Sequence, residues 1–139
     1  MASTTFTGAV TSKNGFIAGH QVTTANAINA TATATAAQVA TGYITSTSAA
    51  ATVITLPTGT LLGAALNAVQ GTTFDLLIDN TAGASAVSIV AAVNGILSTA
   101  GVDSAASFGD LTVAAGVTGL ARYTIMFSSA TAYVFTRTA

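Results

Sequence analysis

The chain has 139 residues, of which 51% are hydrophobic and only 5% are charged, with a formal net charge of −1. An ordinary soluble domain carries about 25% charged residues. Three scattered cations cannot neutralise a run of phosphates, so we expect no nucleic-acid partner. No apolar run reaches the roughly 20 residues that span a bilayer, so we expect no membrane partner either. Without cysteine the chain has no disulfides and no thiolate metal site.

A surface so poor in charge is covered by Ala, Thr, Ser, Gly and Asn, and neither net charge nor charge pattern opposes its association with other surfaces. This composition favours an oligomer or a lattice component. The first fifteen residues, MASTTFTGAVTSKNG, lack a basic region followed by an apolar run, so the sequence indicates no secretory signal.

The chain divides into two parts that differ in composition and in the periodicity of their apolar residues. Residues 1–37 are Thr/Ala-rich and weakly periodic, and we expect them to form an extended N-terminal arm. Residues 38–139 contain short apolar runs separated by turn residues, which is typical of an all-β domain. At the junction, TATATA over residues 31–36 alternates with period two, so it predicts an extended segment that adds as a strand to a neighbouring subunit or shell. The candidate contact residues are Thr31, Thr33, Thr35 and Gln38.

Most strands of the second part are predicted by alternation. QVATGYITST and TVITL flank the apex SAAA, which indicates a hairpin-like pair ending at Pro57. The later runs TFDLLID, AVSIVAAV and DLTVAAG each place apolar residues on one face, with a tight turn at Asn94-Gly95. The residues expected to face inward in these three runs are Phe74, Leu76, Ile78, Val87, Ile89, Ala91, Leu111 and Val113.

The last hairpin is the clearest, because ARYTIMFS and AYVFTRT both alternate. A two-residue loop at Ser129-Ala130 would place Arg122 opposite Arg137, an unfavourable like-charge pair. A three-residue loop over residues 129–131 instead places Phe127 opposite Tyr133 and pairs Ile125 with Phe135. Such cross-strand pairs stabilise a hairpin by up to about 1 kcal/mol each, so we predict the second register.

One helix is predicted in GTLLGAALNAVQG, where Leu62, Leu66 and Val69 recur at helical spacing. Thr58 or Thr60 caps its start and Gly71 suits its end. Short strands with one short helix indicate a β-sandwich or jelly-roll domain preceded by the extended arm. The expected core is Ile54, Leu56, Leu62, Leu66, Phe74, Leu76, Ile78, Val87, Ile89, Val113, Tyr123, Ile125, Phe127 and Phe135.

Three segments carry a resemblance to a known family: TGYITSTSAAATVITLPTGTLL, GTTFDLLIDNTAG and ARYTIMFSSATAYVFT. Their order over residues 41–139 resembles a β-domain of tailed-bacteriophage structural proteins, which include capsid decoration (cement) and head-fibre proteins. The resemblance implies a homotrimer whose partner is the major capsid protein, located on the virion surface after synthesis in the bacterial cytoplasm. It also implies that the unmatched residues 1–40 attach the domain to a shell or to other subunits.

The ionisable residues do not form a pattern typical of catalysis, so we predict no enzyme, no cofactor and no metal site. Asp75 and Asp79 lie about 13 Å apart along one strand, too far for a retaining glycosidase pair. We expect Asp79 to form an Asx-type turn, with calcium binding through Asp79 and Asn80 as the alternative. We expect His20 to be a surface or interface residue, with a metal-binding cluster on a three-fold axis as its alternative. Asp103 and Asp110 flank loops and are expected to cap turns.

Two functions follow from these observations. The first is a structural virion protein that binds the outside of a phage capsid as a trimer and stabilises the shell. The second is a glycan- or receptor-binding module at a fibre tip. Such a site needs exposed aromatic rings, for which Tyr43, Tyr123, Tyr133 and a few Phe are the candidates. Parity places Tyr123 and Tyr133 inward, which weakens this second hypothesis.

Overall fold

Short strands are the predominant regular structure in the part of the chain that the computed structural model describes, residues 26–97 and 112–139. Two α-helices and a 3₁₀ turn at Gly116–Thr118 join them. The elements are β1 Ala32–Thr33, α1 Ala36–Ala40, β2 Tyr43–Thr45, β3 Thr52–Thr55, α2 Gly59–Leu66, β4 Thr73–Asp79, β5 Val87–Val90, β6 Gly95–Leu97, β7 Thr112–Val113, β8 Leu120–Ser129 and β9 Ala132–Arg137.

The described strands form two sheets, which confirms the mostly-β prediction. One sheet has the strand order β2-β4-β8-β9-β6 and the other has the order β1-β3-β5-β7. The predicted hairpin between QVATGYITST and TVITL is wrong, because β2 and β3 lie in different sheets. The SAAA segment instead carries the chain from one sheet to the other. β2 pairs in parallel with β4, and β3 pairs in parallel with β5.

An edge strap, residues 26–35, crosses the margin of both sheets. Ala27 forms a parallel bridge with Thr45 beside β2, and the chain then continues as β1 in parallel with β3. Ile28 and Ala34 are buried in the hydrophobic core. The extended conformation predicted for the TATATA segment is confirmed at β1 and reaches Thr35. The predicted arm boundary at residue 37 therefore falls within a packed part of the domain, and residues 1–25 lie outside the described residues.

The β8–β9 hairpin has the predicted register. Phe127 lies opposite Tyr133 and Ile125 lies opposite Phe135. The ring centroids of Phe127 and Tyr133 are 5.9 Å apart, so the two aromatic residues are in contact. The connection differs from the prediction, since the pairing shifts between Phe127 and Ser129 and resumes with Ser129 opposite Ala132. The predicted three-residue loop is thus a two-residue turn next to an irregularity in β8.

Helix α2 begins where its cap was predicted. Thr58 is the N-cap, and its hydroxyl accepts a hydrogen bond from the Leu61 amide at 3.3 Å. The helix is shorter than predicted, because Asn67 adopts a left-handed conformation with φ 50° and ends it. Val69, which was predicted to continue the helical spacing, lies beyond this turn and is 65% exposed. Ala68 takes the buried position instead.

The five-residue helix α1 was not predicted. Its N-terminus is a capping box in which the Gln38 amide donates to the Thr35 hydroxyl at 3.1 Å, while the Thr35 amide donates to Gln38 Oε1 at 2.8 Å. The sequence signal for this motif is Thr-x-x-Gln, which is present at residues 35–38. Val39 is the fully buried residue of this helix.

Both sheets contribute to one hydrophobic core. Every residue of the predicted core is buried except Leu66, which packs against the core while partly exposed. Tyr133 is also fully buried, and its hydroxyl donates to the Pro57 carbonyl at 2.9 Å. Burial raises the pKa of Tyr133 to about 12, so the hydroxyl remains a donor at neutral pH. The core residues that were absent from the predicted core list are Ile28, Ala34, Val39, Ile44, Ala68, Ala121 and Tyr133, although parity had placed Tyr133 inward.

We predict that Gly63→Ala destabilises the protein. Gly63 faces the turn of the β8–β9 hairpin, and a methyl group there collides with the backbone carbonyl of Ala130. Overpacking of this kind lowers the free energy of unfolding by about 1–3 kcal/mol. The better helix propensity of alanine offsets about 1 kcal/mol of this loss at most. Urea unfolding measures the loss. Ala64→Gly, at an exposed position of the same helix, should cost only the propensity term of about 1 kcal/mol. A Gly63→Ala protein as stable as the wild type contradicts the close contact.

Candidate functional site

The four predicted contact residues lie along the edge strap and the start of α1. The side chains of Thr31, Thr33 and Thr35 are exposed and that of Gln38 is partly exposed. Three of them already serve the fold. Thr31 Oγ1 accepts a hydrogen bond from the Val53 amide at 3.1 Å, and Thr35 and Gln38 form the capping box. Their contact with another chain stays a prediction.

The strap attaches to its own sheets by the main-chain bonding that was predicted for a neighbouring subunit. The Ile28 amide donates to the Thr45 carbonyl at 2.9 Å, and the Ala34 amide donates to the Thr55 carbonyl at 2.8 Å. The strand β1 is the outermost strand of its sheet. The low-charge Thr/Ala sequence of this segment therefore stabilises the domain itself.

Asp79 is the centre of a polar cluster at the end of β4. Its Oδ1 accepts the Thr81 amide at 3.0 Å and the Thr81 hydroxyl at 2.6 Å, so the predicted Asx-type turn is confirmed. Its Oδ2 accepts the Tyr43 hydroxyl at 2.7 Å. The hydrogen bonds from the Thr81 and Tyr43 side chains hold the pKa of Asp79 below its usual value. The hydrogen bond to Asp79, with some desolvation, raises the pKa of Tyr43.

These bonds predict a pH-dependent effect of Tyr43→Phe. Because the pKa of Asp79 is lowered in the folded state, its bonds stabilise the protein above the unfolded pKa of about 4 and lose this effect as pH falls through the folded pKa. Tyr43→Phe should raise the pKa of Asp79 and cost under about 1 kcal/mol at neutral pH, since the group is solvent-screened.

Carboxyl NMR titration and urea unfolding at several pH values measure both effects. Thr81→Ala removes the larger contribution and should raise the pKa of Asp79 further. A stability difference between wild type and Tyr43→Phe that persists unchanged below the folded pKa of Asp79 found in that titration contradicts the assignment.

The side chain of the next residue, Asn80, points away from the Asp79 cluster and into the interior of the protein. It is fully buried, and its amide nitrogen lies 3.0 Å from the Ser85 carbonyl, 2.9 Å from the Ala114 carbonyl and 3.3 Å from the Val113 carbonyl. Asn80 follows β4 of one sheet, whereas these carbonyls belong to β7 of the other sheet and to neighbouring loops. The side chain therefore links the two sheets. Asp79 and Asn80 do not converge on one point, so the geometry does not favour the calcium alternative.

Several predicted residues lie outside the described part of the chain: His20, Asp103, Asp110 and Leu111. Within residues 26–97 and 112–139, no group of three or more His, Cys, Asp or Glu side chains is placed to hold a metal ion. No helix in these ranges has the length and apolarity needed to cross a membrane.

The outer face of the five-stranded sheet carries both charged and large apolar side chains. We define this outer face as the alternate residues of β2, β4 and β8 that point away from the core. In register across it, Tyr43 of β2 lies beside Leu77 of β4, and Leu77 lies opposite Arg122 of β8. One position along, Asp75 lies opposite Thr124 and accepts a hydrogen bond from its hydroxyl at 2.7 Å.

Comparisons of the chain with protein-family models, with curated proteins and with solved structures gave no match.

Proposed function

We propose that this protein is a structural component of a bacteriophage virion, which binds the outside of the capsid as a homotrimer and stabilises the shell. The observation that carries the proposal is how the described polar side chains are used. Hydrogen bonds that hold turns, caps and strands in place occupy the polar side chains of Thr35, Asp79, Asn80 and Tyr133. We therefore infer that the domain functions through its extended surface.

The character of that surface also supports the proposal. The four-stranded sheet has no charged residue in any of its strands. Charged residues are depleted at the centres of protein interfaces, where the cost of removing them from water is highest. The exposed side chains of this sheet are uncharged, which favours a role in packing against other protein. We infer that the partner is the major capsid protein, with further copies of this chain completing the trimer.

For the fold of this component we favour a β-sandwich over a jelly roll. Four of the seven strand pairs among the described residues are parallel, whereas a jelly roll is built from antiparallel Greek keys. We propose that an extended N-terminal arm precedes the edge strap and provides further attachment to the shell.

The direct test is binding to shells of the phage that encodes the chain. Purified protein should cosediment with its capsids, and electron cryomicroscopy should show its density on the outer surface. Because a ligand of the assembled state stabilises that state, decorated shells should resist heating better than bare shells. Light scattering of the free protein at concentrations up to the order of 100 µM should give a trimer. Saturating protein that leaves the shells undecorated would exclude the proposal.

One observation favours a glycan-binding fibre tip as the second candidate. Tyr43 is the aromatic residue of the described ranges that lies outside the buried core, and its hydroxyl is fixed by Asp79. An oriented aromatic ring can stack on a sugar. Reproducible hits on a glycan array that disappear in Tyr43→Ala would support this function. We expect none from a capsid-binding protein.

A further inference from the structure

The outer face of the five-stranded sheet combines exposed apolar side chains with charge. Leu77 is 36% exposed, Met126 is 48% exposed and Leu120 is 52% exposed. With Tyr43 and Arg122 they form a patch on three adjacent strands, β2, β4 and β8. Aromatic residues, Met and Arg are the types enriched at protein interfaces, so the composition of this face is that of a contact surface.

Charge on this face is divided between two strands. Asp75 and Asp79 lie on β4, and Arg122 lies on β8 diagonally between them, opposite Leu77. The aspartates direct their carboxylates to Thr124, Tyr43 and Thr81. Their negative charge remains, and none of these bonds uses the Arg122 guanidinium. The β4 half of the face is therefore acidic and the β8 half is basic.

Both halves of a complementary charge pair thus lie side by side on one exposed surface of one chain. A second copy that packs on this face can set its basic half against the acidic half of the first. This contact between an acidic half and a basic half can form in a face-to-face dimer. It can also form in a trimer whose three-fold axis lies in front of the face. The remaining charged residue of the described ranges, Arg137, reaches the Thr112 carbonyl at 3.0 Å and lies at the end of β9.

We propose that the outer face of the five-stranded sheet is the surface through which copies of this chain associate, with the acidic β4 half of one subunit against the basic β8 half of the next. This proposal deepens the proposed function and rests on it for the number of subunits. The partner is another copy because each chain supplies both signs. Leu77, Leu120 and Met126 lose their exposure in the contact.

The size of the face sets the conditions for a test. Three adjacent strands spaced about 4.8 Å apart, with β4 seven residues long at about 3.3 Å per residue, give a patch of about 10 Å by 23 Å. This is smaller than the roughly 800 Å² that each partner of a standard interface buries, so association through this face is weak in dilute solution. Sedimentation should therefore be measured at protein concentrations up to the order of 100 µM.

The test is analytical ultracentrifugation of the full chain at low salt, with circular dichroism as the check of folding. Arg122→Asp should weaken association by at least about tenfold, because it converts an attraction into a repulsion. Adding Asp75→Arg to that variant should recover part of the affinity. Arg137→Asp, the same charge change away from the face, should associate like the wild type. Raising the salt concentration should weaken association of the wild type, since exposed charges are screened.

The proposal is overturned if the wild type is monomeric at every concentration, or if Arg122→Asp changes nothing. It is also overturned if Arg122→Asp and Arg137→Asp weaken association equally, which would indicate another surface or a general effect of charge. Shell binding is a separate measurement. If the wild type binds shells and Arg122→Asp associates like the wild type, the inference about this face is wrong but the proposed function is unaffected. Association through this face without shell binding leaves the inference intact and removes the proposed function.

Discussion

Phe127→Ala is expected to cost about 3–5 kcal/mol of the free energy of unfolding. The Phe127 side chain is 1% exposed and lies where β8, β9 and α2 meet. Its ring is in contact with that of Tyr133 and packs against Gly63 of the helix. Removing the ring leaves a cavity that neither the strands nor the helix can close, because the hairpin turn is already in contact with Gly63. Urea unfolding monitored by circular dichroism measures the loss.

Leu61→Ala is the control for this measurement. Leu61 is a large apolar residue of α2 but is 59% exposed, so its truncation should change stability by no more than about 0.5 kcal/mol. Losses of equal size in the two variants would mean that the assignment of inward and outward positions is wrong. Phe127 lies on the core side of its strand, so its effect on folding is separate from the outer face.

Asn80→Asp is expected to cost about 3–5 kcal/mol at neutral pH. The substitution preserves shape but replaces the donating nitrogen by an oxygen, which then faces the carbonyls of Ser85, Val113 and Ala114. The two sheets lose the bonds that join them at this point, and a buried carboxylate meets three acceptors. Removal of one partner from a buried polar contact is among the most destabilising changes that a core tolerates.

The loss in Asn80→Asp should depend on pH in a defined direction. The buried carboxyl is expected to have a pKa raised above its unfolded value of about 4. Stability relative to the wild type is therefore best below pH 4, where the neutral carboxyl can donate one hydrogen bond, and falls as pH rises through the raised pKa. Unfolding curves of both proteins from pH 3 to pH 8 measure it. A constant difference across this range would contradict the role of the three carbonyls.

Asp79→Asn provides the matched exchange one residue away. Asp79 is partly exposed, and in this variant the amide oxygen can still accept both bonds from Thr81 while the amide nitrogen can donate to the Tyr43 hydroxyl oxygen, so the loss should be no more than about 1 kcal/mol. Neighbouring residues of nearly the same shape thus differ in effect because one faces solvent and the other faces the second sheet. If both exchanges were equally mild, Asn80 would not be the link between the sheets.

The candidate site was predicted less completely than the fold. The Asx-type turn at Asp79 follows from its own sequence context, since the side chain bonds to the backbone two residues later. The hydrogen bond from Tyr43 to Asp79 joins residues that are 36 positions apart, and no local pattern indicates it. The same holds for Asn80, whose acceptors near β7 lie 33 and 34 residues away.

The sequence by itself determined which side chains face inward and how the last hairpin is aligned. Alternation specified the buried residues of β4, β5 and β8, because the side-chain period of a strand is two and a shift by one residue exposes the whole apolar set. Like-charge repulsion and aromatic pairing specified the register of β8 and β9. The start of α2 was predicted at Thr58 or Thr60, because a threonine hydroxyl satisfies a free amide of the first turn, and the structure selects Thr58.

Only the tertiary structure decided which strands are neighbours. Alternation in β2 and β3 is equally compatible with a hairpin and with strands of separate sheets, because it reports the face of a residue and not its partner strand. The parallel pairs β2–β4 and β3–β5 depend on contacts between distant segments. The Thr/Ala strap acquires its place in the same way, since its small side chains suit close backbone approach to either a neighbouring subunit or its own sheets.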